Sequence, residues 1–268
     1  MTAVRSYLDH NATSPLRPEA REAMLAALEL DGNASSIHAE GRAARTLIED
    51  AREQLAALIG ASARCIVFTS GGTEANAMAL SPAWLPRRGR SRLFVSAVEH
   101  VSVLHGGRFA AGDVERLPVD AEAVISLEAA RRAFQDCNEA GVPFLASVML
   151  AYNETGAIQP VAALADLAHR CGGLVHCDAA QAIGKIPVDV AALGVDFLTI
   201  SAHKFGGPKG VGALAVLREG LPVAALVAGG GQERGYRGGT ENLAAIAGLG
   251  AAASAVTGNY FEQRRIAA

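Results

Sequence analysis

In several stretches of this 268-residue chain, an apolar run gives way to a turn that carries reactive side chains. In "FTSGGTEANAMAL" a β-type run leads into Ser70-Gly71-Gly72-Thr73, with Glu74 following in the first turn of an expected helix. Glycines there let backbone N–H groups approach an oxyanion, and a helix N-terminus favours negative charge. The pattern is neither GxGxxG nor GxxxxGK[ST], so neither a dinucleotide nor a triphosphate is indicated. An ordinary glycine turn with a threonine cap is the competing reading. "SAVEHVSVL" sets His100 just past a second apolar run, though a lone histidine is more often packed or at the surface. "LAYNETGAIQP" places Asn153 before a glycine turn, which turn chemistry alone would also explain.

"VHCDAAQAIGK" ends its apolar run on Asp178, with Gln181 three residues on. A carboxylate after "LVHC" is partly desolvated and calls for a cationic partner. "TISAHKFGGPKG" supplies Ser201, His203 and Lys204 at the next strand end. Lysine is scarce: Lys185, Lys204 and Lys209 are the only three, against 21 arginines. A lysine made less basic by burial or a nearby cation is a usable nucleophile toward a carbonyl. Lys185 lies in the polar loop "GKIPVD" and Lys209 follows a proline beyond the glycine turn, so Lys204 is the stronger candidate. An anion cradle, an aromatic base, an amide, a carboxylate and a lysine together match the needs of pyridoxal phosphate. That molecule takes a lysine at its aldehyde, an acid at its pyridinium nitrogen and an anion site at its phosphate.

The elements that must hold these residues read as an α/β fold. "CIVFTS" (65–70), "RLFVSAV" (92–98), "PFLASVML" (143–150), "GLVHCDA" (173–179), "DFLTISA" (196–202) and "GALAVL" (212–217) are expected strands. Helical periods at 18–30, 43–60 and 161–173 alternate with them. Near-continuous apolar strands separated by helices predict a mostly parallel sheet covered on both faces. Ligand-binding residues in such sheets gather at the carboxyl ends of strands.

Composition narrows the function classes. The 24 basic and 27 acidic residues, a formal charge of −3, argue against a general nucleic-acid binder. The four cysteines show no CxxC spacing, which favours a reducing cytoplasm over a disulfide framework. No metal site is expected. The opening "MTAVRSYLDHNATSP" is not a signal segment, and "LAAIAGLGAAASAVTG" (243–258) falls short of the roughly 20 strongly apolar residues that a span requires. No membrane association is expected. A Rossmann oxidoreductase is disfavoured because no GxGxxG opens a βαβ unit.

"YLDHNATSPLRPEA", "GNASSIHAEGRAAR", "TSGGTEANAMAL", "VEHVSVL", "NETGAIQP", "HCDAAQAIGKIPVDV", "SAHKFGGPKGVGAL" and "GGGQERGYRGGTEN" resemble the cysteine desulfurase family, in the family's order, from about residue 6 to about 250. These are pyridoxal-phosphate enzymes of the class V aminotransferase type. The resemblance implies the fold-type I large domain, a seven-stranded-type sheet with one strand free to run antiparallel. It implies that Lys204 forms the Schiff base, that His100 stacks on the ring and moves protons, that Asp178 pairs with the pyridinium nitrogen and that Gln181 pairs with the ring hydroxyl. Thr73, Ser201 and His203 would hold the phosphate with Gly72 backbone, and Thr240 would reach the phosphate of a second subunit in a homodimer. Asn11, Asn153 and Arg237 would face the substrate, L-cysteine. Sulfur would pass through an enzyme persulfide to an iron–sulfur scaffold or other acceptor, leaving alanine. "SSIHAEGRAAR" and "RGGTEN" resemble the branch serving general or nitrogenase iron–sulfur assembly.

His10 and Ala202 depart from the usual family residues without touching the Lys204 logic. The family's attacking cysteine and carboxylate-binding arginine lie beyond the matched region, and none of Cys65, Cys137, Cys171 or Cys177 fills that place. Cys177 is beside Asp178, but a buried apolar thiol is inert. The expected organisation is an N-terminal segment (1–15) associated with a small domain, a large cofactor domain (16–255), and the start of an otherwise missing small domain (256–268). A selenocysteine lyase or aminotransferase of the same class, and a non-catalytic cofactor-binding dimer partner, are the alternatives.

Overall fold

The computed structural model describes residues 6–86 and 89–263. In chain order the elements are α1 (Pro18–Leu28), α2 (Ala39–Ile59), β1 (Ile66–Thr69), α3 (Gly72–Ala79), β2 (Arg92–Ser96), α4 (Val101–Leu104), β3 (Val114–Leu117) and α5 (Leu127–Glu139). They continue with β4 (Phe144–Met149), α6 (Val161–Arg170), β5 (Leu174–Asp178), α7 (Val190–Leu193), β6 (Phe197–Ser201), β7 (Gly212–Val216) and α8 (Leu243–Gln263).

The strands form one seven-stranded sheet in the order β1-β7-β6-β5-β4-β2-β3. β7 is antiparallel to both neighbours, and the remaining pairs are parallel. β1, β4, β5 and β6 are buried at every residue, the signature of a sheet covered on both sides. Alternation along the strands, β2 included, divides side chains between two cores. Phe68, Phe94, Val148, Val175 and Ile200 face the layer of α2, α5, α6 and α8. Val67, Val95, Leu145, Leu174 and Phe197 face α3 and Trp84 on the other side. Phe94, Phe134 and Phe144 stack into a cluster with centroids 4.8–5.6 Å apart, fastening α5 to β2 and β4.

The observed strands end within two residues of the spans expected from sequence, and β2 and β7 begin at the expected residues. β3 has no counterpart among those expectations. It is an edge strand whose only buried residue is Leu117, so "VERL" carries little apolar signal. The Ala- and Gly-rich run at 243–258 becomes α8, and its composition has a packing cause. A Cβ on Gly248 would lie 2.7 Å from Met24, and one on Gly250 would lie 2.6 Å from the Ala51 backbone. Small residues therefore let α8 press against α1 and α2. No helix among the described residues is long and apolar enough to cross a membrane. The expected boundary segments 1–15 and 256–268 fall in part on residues 1–5 and 264–268, outside the described residues. α8 runs unbroken through position 256.

Candidate active site

The sheet register explains how distant motifs meet. Gly212, the first residue of β7, pairs with Thr69 on one side and Ser201 on the other. That junction sets the Ser70–Thr73 turn beside the Ser201–Lys204 turn. It demands glycine: a Cβ on Gly212 would lie 2.5 Å from the Ile200 carbonyl oxygen and 2.7 Å from the Gly71 carbonyl carbon. Gly72 is close-set for the same reason, its absent Cβ 3.3 Å from that of Ser201. α3 begins at Gly72, so the amides of its first turn have no intrahelical acceptor.

A cavity of about 1120 Å³ opens above these strand ends. Asn11, Gly72, Thr73, His100, Asn153, Asp178, Gln181, Ser201, His203 and Lys204 line it, together with Asp9, Ala12, Thr13 and Lys209. Arg237 and Thr240 line a smaller pocket of about 150 Å³, which shares Ser70, Gly210 and Val211 with the larger one. The Arg237 guanidinium donates to Glu74 Oε1 at 2.9 Å, and Glu74 Oε2 accepts from the Ser70 amide at 2.9 Å. Burial opposes ionisation of Glu74, but these donors hold its carboxyl below the usual range.

Lys204 follows β6 in a short 3-10 turn and is half-buried. Its amine donates to the carbonyls of Asn11 and Ala12, at 2.5 and 3.1 Å. Burial lowers its pKa below that of a free lysine, against the opposing pull of Asp178 and Asp9. The N-terminal segment clamps this turn from outside: the Ser14 hydroxyl donates to the Lys204 carbonyl at 2.8 Å, and Arg17 Nε donates to the Phe205 carbonyl at 3.0 Å.

Asp178 is 7% exposed at the end of β5. Burial raises its pKa, while donors from the Asn76 side chain and Ala180 amide and the charges of His100 and Lys204 pull the other way. Asn76 Nδ2 donates to Asp178 Oδ2 at 2.8 Å and to Ser102 Oγ at 2.9 Å. The buried Glu99 carboxyl, whose Oε1 accepts from the Met149 amide at 2.6 Å, is pushed well up by burial and then by Asp178.

Sequence reasoning set Lys185 aside, yet it belongs to this site. Its amine donates to Asn11 Oδ1 at 3.0 Å and to Gln181 Oε1, which leaves Gln181 Nε2 to donate to the Asn11 carbonyl at 2.9 Å. Burial, with the Lys204 cation adding to it, brings Lys185 down to about 8. The missed signal was its place one turn after Gln181. Asn76 and Ser102 were also missed. An asparagine amid "EANAMAL", on a buried helix face, was the available clue. Below the site, His176 spans Ser147 Oγ (2.8 Å) and Thr199 Oγ1 (2.9 Å) across β4, β5 and β6, and burial brings it down to about 3. None of the four cysteines lines either pocket; Cys137 and Cys177 are buried, and desolvation raises both thiols.

The residues present fit pyridoxal phosphate. A depressed lysine amine, a buried carboxylate, an imidazole and a glycine cradle that a Cβ would fill face one cavity large enough for cofactor and substrate. The comparisons with known proteins agree. The chain belongs to the aminotransferase class-V family, whose profile matches residues 6–266. Members of that family are pyridoxal phosphate enzymes. A cysteine desulfurase of Cereibacter sphaeroides is 47% identical over 260 residues, which is 95% of this chain and 66% of that protein. A NifS-like protein from Rickettsia africae superposes with a TM-score of 0.86 at 35% identity, covering 96% of this chain and 70% of that one. The structure of SspA in complex with cysteine superposes with a TM-score of 0.79 at 33% identity, covering 93% and 72%. The chain spans 62–66% of the length of the first cysteine desulfurases it matches.

Proposed function

We propose that the chain is the cofactor-binding part of a cysteine desulfurase, a pyridoxal-phosphate enzyme that takes sulfur from L-cysteine and leaves L-alanine. The observation that carries this reading is the lysine amine of Lys204, held below its ordinary pKa by burial in the cavity that also receives Asp178, His100 and the glycine cradle. When bound, pyridoxal phosphate supplies an aldehyde for amines and a protonated ring that accepts the electron pair left when an α-proton departs.

The chain's own groups then have distinct tasks. Asp178, anchored by Asn76 and the Ala180 amide, holds a proton on the ring nitrogen. The helix amides at Gly72 and Thr73, with Thr73, Ser201 and His203, bind the phosphate. The Lys204 amine would hold the cofactor aldehyde and, when free, would take the α-proton. His100 would lie against the cofactor and exchange protons at the substrate, and Gln181, oriented by Lys185, would hold the ring hydroxyl. Asn11, Asn153 and Arg237 bind the substrate's polar groups. Sulfur transfer would need a thiolate that none of the four cysteines brings to the cavity. Its attack on the substrate sulfur would break the carbon–sulfur bond with the electron pair left on carbon, where a proton would complete alanine, and would leave the attacking sulfur as a persulfide. A homodimer would bring Thr240 to the neighbouring cofactor phosphate, and an iron–sulfur scaffold or other acceptor would take the sulfur in a reducing cytoplasm. Residues 16–255 would make up the cofactor domain, with 1–15 associated with a smaller domain and 256–268 its start.

That none of the four cysteines reaches the cavity favours a second reading, in which the chain binds cofactor and L-cysteine and dimerises without transferring sulfur by itself. The test is the absorbance of the pyridoxal-phosphate-loaded chain before and after L-cysteine, with alanine and sulfide assayed in the presence of dithiothreitol. A spectral change with equimolar alanine and sulfide supports the desulfurase reading. A change without either product supports the second, and no change refutes both.

A further inference from the structure

The least expected polar feature of the site lies beside the residues assigned to the cofactor. His100 caps α4 with its own ring: Nδ1 accepts from the Ser102 amide at 3.2 Å and meets Ser102 Oγ at 2.8 Å. A backbone N–H cannot reverse its direction, so Nδ1 must be the acceptor and must lack a hydrogen. Ser102 Oγ accepts in turn from Asn76 Nδ2 at 2.9 Å, and the second hydrogen of that amide goes to Asp178 Oδ2 at 2.8 Å. Flipping the Asn76 amide would set its oxygen against the Asp178 carboxylate, which fixes its sense. The hydroxyl proton of Ser102 is then left for His100 Nδ1. Asn76 is 1% exposed, and its Oδ1 is buried without a hydrogen-bond partner, so the residue is placed for what its nitrogen donates rather than for its own satisfaction.

We propose that Asn76 and Ser102 are positioning residues that link Asp178 to His100 and hold the neutral imidazole with its hydrogen on Nε2, so that His100 presents a donor to the cavity. The directions run one way along the chain: Asn76 gives to Asp178 and Ser102, and Ser102 gives to His100. Nδ1 is engaged twice, and Nε2 is the nitrogen left for a ligand. His100 therefore begins a reaction cycle as a hydrogen-bond donor and proton source, and Nε2 becomes a base only after giving up that hydrogen. The relay also makes the ring's orientation depend on the carboxylate assigned to the ring nitrogen, since both hang on one amide. The catalytic meaning of this arrangement rests on the pyridoxal reading above; the tautomer itself does not.

The experiment is a long-range ¹⁵N–¹H correlation spectrum of the histidine-labelled, cofactor-free protein at a pH where His100 is neutral, with assignment by loss of its peaks in His100→Gln. The expected result is a pyridine-like Nδ1 and a pyrrole-like Nε2. Ser102→Ala should shift the tautomer ratio by about tenfold toward Nδ1–H, the equivalent of one hydrogen bond, and draw the two nitrogen shifts together. Ser102→Thr should restore the wild-type shifts, which a merely structural role for Ser102 would not require. A pyrrole-like Nδ1 in the wild type, or unchanged shifts in Ser102→Ala, would overturn the proposal. A chain with the expected tautomer that fails to bind pyridoxal phosphate would sink the functional reading and leave the relay standing.

Discussion

Replacing Arg52 with methionine should remove far more stability than the loss of one ion pair normally does. The Arg52 and Glu233 side chains are 3% and 2% exposed, and they meet in a two-pronged pair with both N–O distances at 2.8 Å. Glu233 Oε2 also accepts from the Phe68 amide at 2.8 Å, and Arg52 Nη1 also donates to the Ile66 carbonyl at 2.8 Å. With Arg52 gone, Glu233 keeps one backbone donor for a buried negative charge, a situation that costs about 3–5 kcal/mol. Domains of this kind are stable by about 5–15 kcal/mol, so the variant approaches the unfolding threshold. The pair also restrains backbone that resists its own geometry. Glu233 and Arg234 sit at φ +47° and +56°, and such residues cost about 1–3 kcal/mol each when nothing holds them. The same loop leads to Arg237 and Thr240, so its release should blur the smaller pocket. Urea unfolding of Arg52→Met, Glu233→Leu and the double variant gives the coupling directly. The double variant should be more stable than the sum of the single losses predicts, because it leaves no buried unpaired charge; Glu49, which also pairs with Arg52 Nε at 3.0 Å, is 47% exposed and stays solvated. Arg64–Glu219, an exposed pair at 74% and 81%, serves as the control and should show about 0–1 kcal/mol. If Arg52→Met costs no more than that control, the argument from buried charge is refuted.

Other consequences follow from the same packing. His176 titrates at about 3 in the folded chain and near 6.5 when unfolded, so its contribution is complete above pH 6.5 and is lost as pH falls toward 3. Between pH 6.5 and 5 the wild type should lose about 2 kcal/mol more than His176→Asn in urea unfolding, and equal losses would contradict this. Gly212→Ala should lower the melting temperature and abolish cofactor absorbance, whereas Gly112→Ala, whose Cβ would meet open space, should leave both unchanged. In the native protein iodoacetamide should label Cys65 and Cys171 before Cys137 and Cys177, as read by peptide mass spectrometry; early labelling of Cys177 would show that its thiol is neither buried nor raised.

Much of this architecture was written in the chain at the level of runs and breaks. Short, β-branched apolar stretches such as "LVHC" and "FLTIS", bounded by turn residues, read as strands buried on both faces, and the residues that end them fall at carboxyl ends. That is why Asp178, Ser201 and Lys204 could be picked out singly and then found lining one cavity. The resemblance to a known family carried what spacing alone could not: which motifs belong together, and the likeness later seen in the comparisons. Partnerships formed at long range were not legible. Lys185 looked like a loop lysine because Asn11 Oδ1, one of its acceptors, lies 174 residues away. Asn76 reads as an unremarkable helix residue until β5 brings Asp178 to it, 102 residues on. β3 escaped because an edge strand needs only one buried side chain to hold its place.

The central claim is that Lys204, among three lysines, carries the cofactor, and its rival is now specific: Lys185 shares the site and is brought down to about 8. The direct test is to bind pyridoxal phosphate, fix it with borohydride and map the modified peptide by mass spectrometry. The account predicts a single pyridoxyl label on Lys204, lost together with the visible-edge absorbance in Lys204→Ala. A label on Lys185 or Lys209, or an undiminished absorbance in Lys204→Ala, would contradict it.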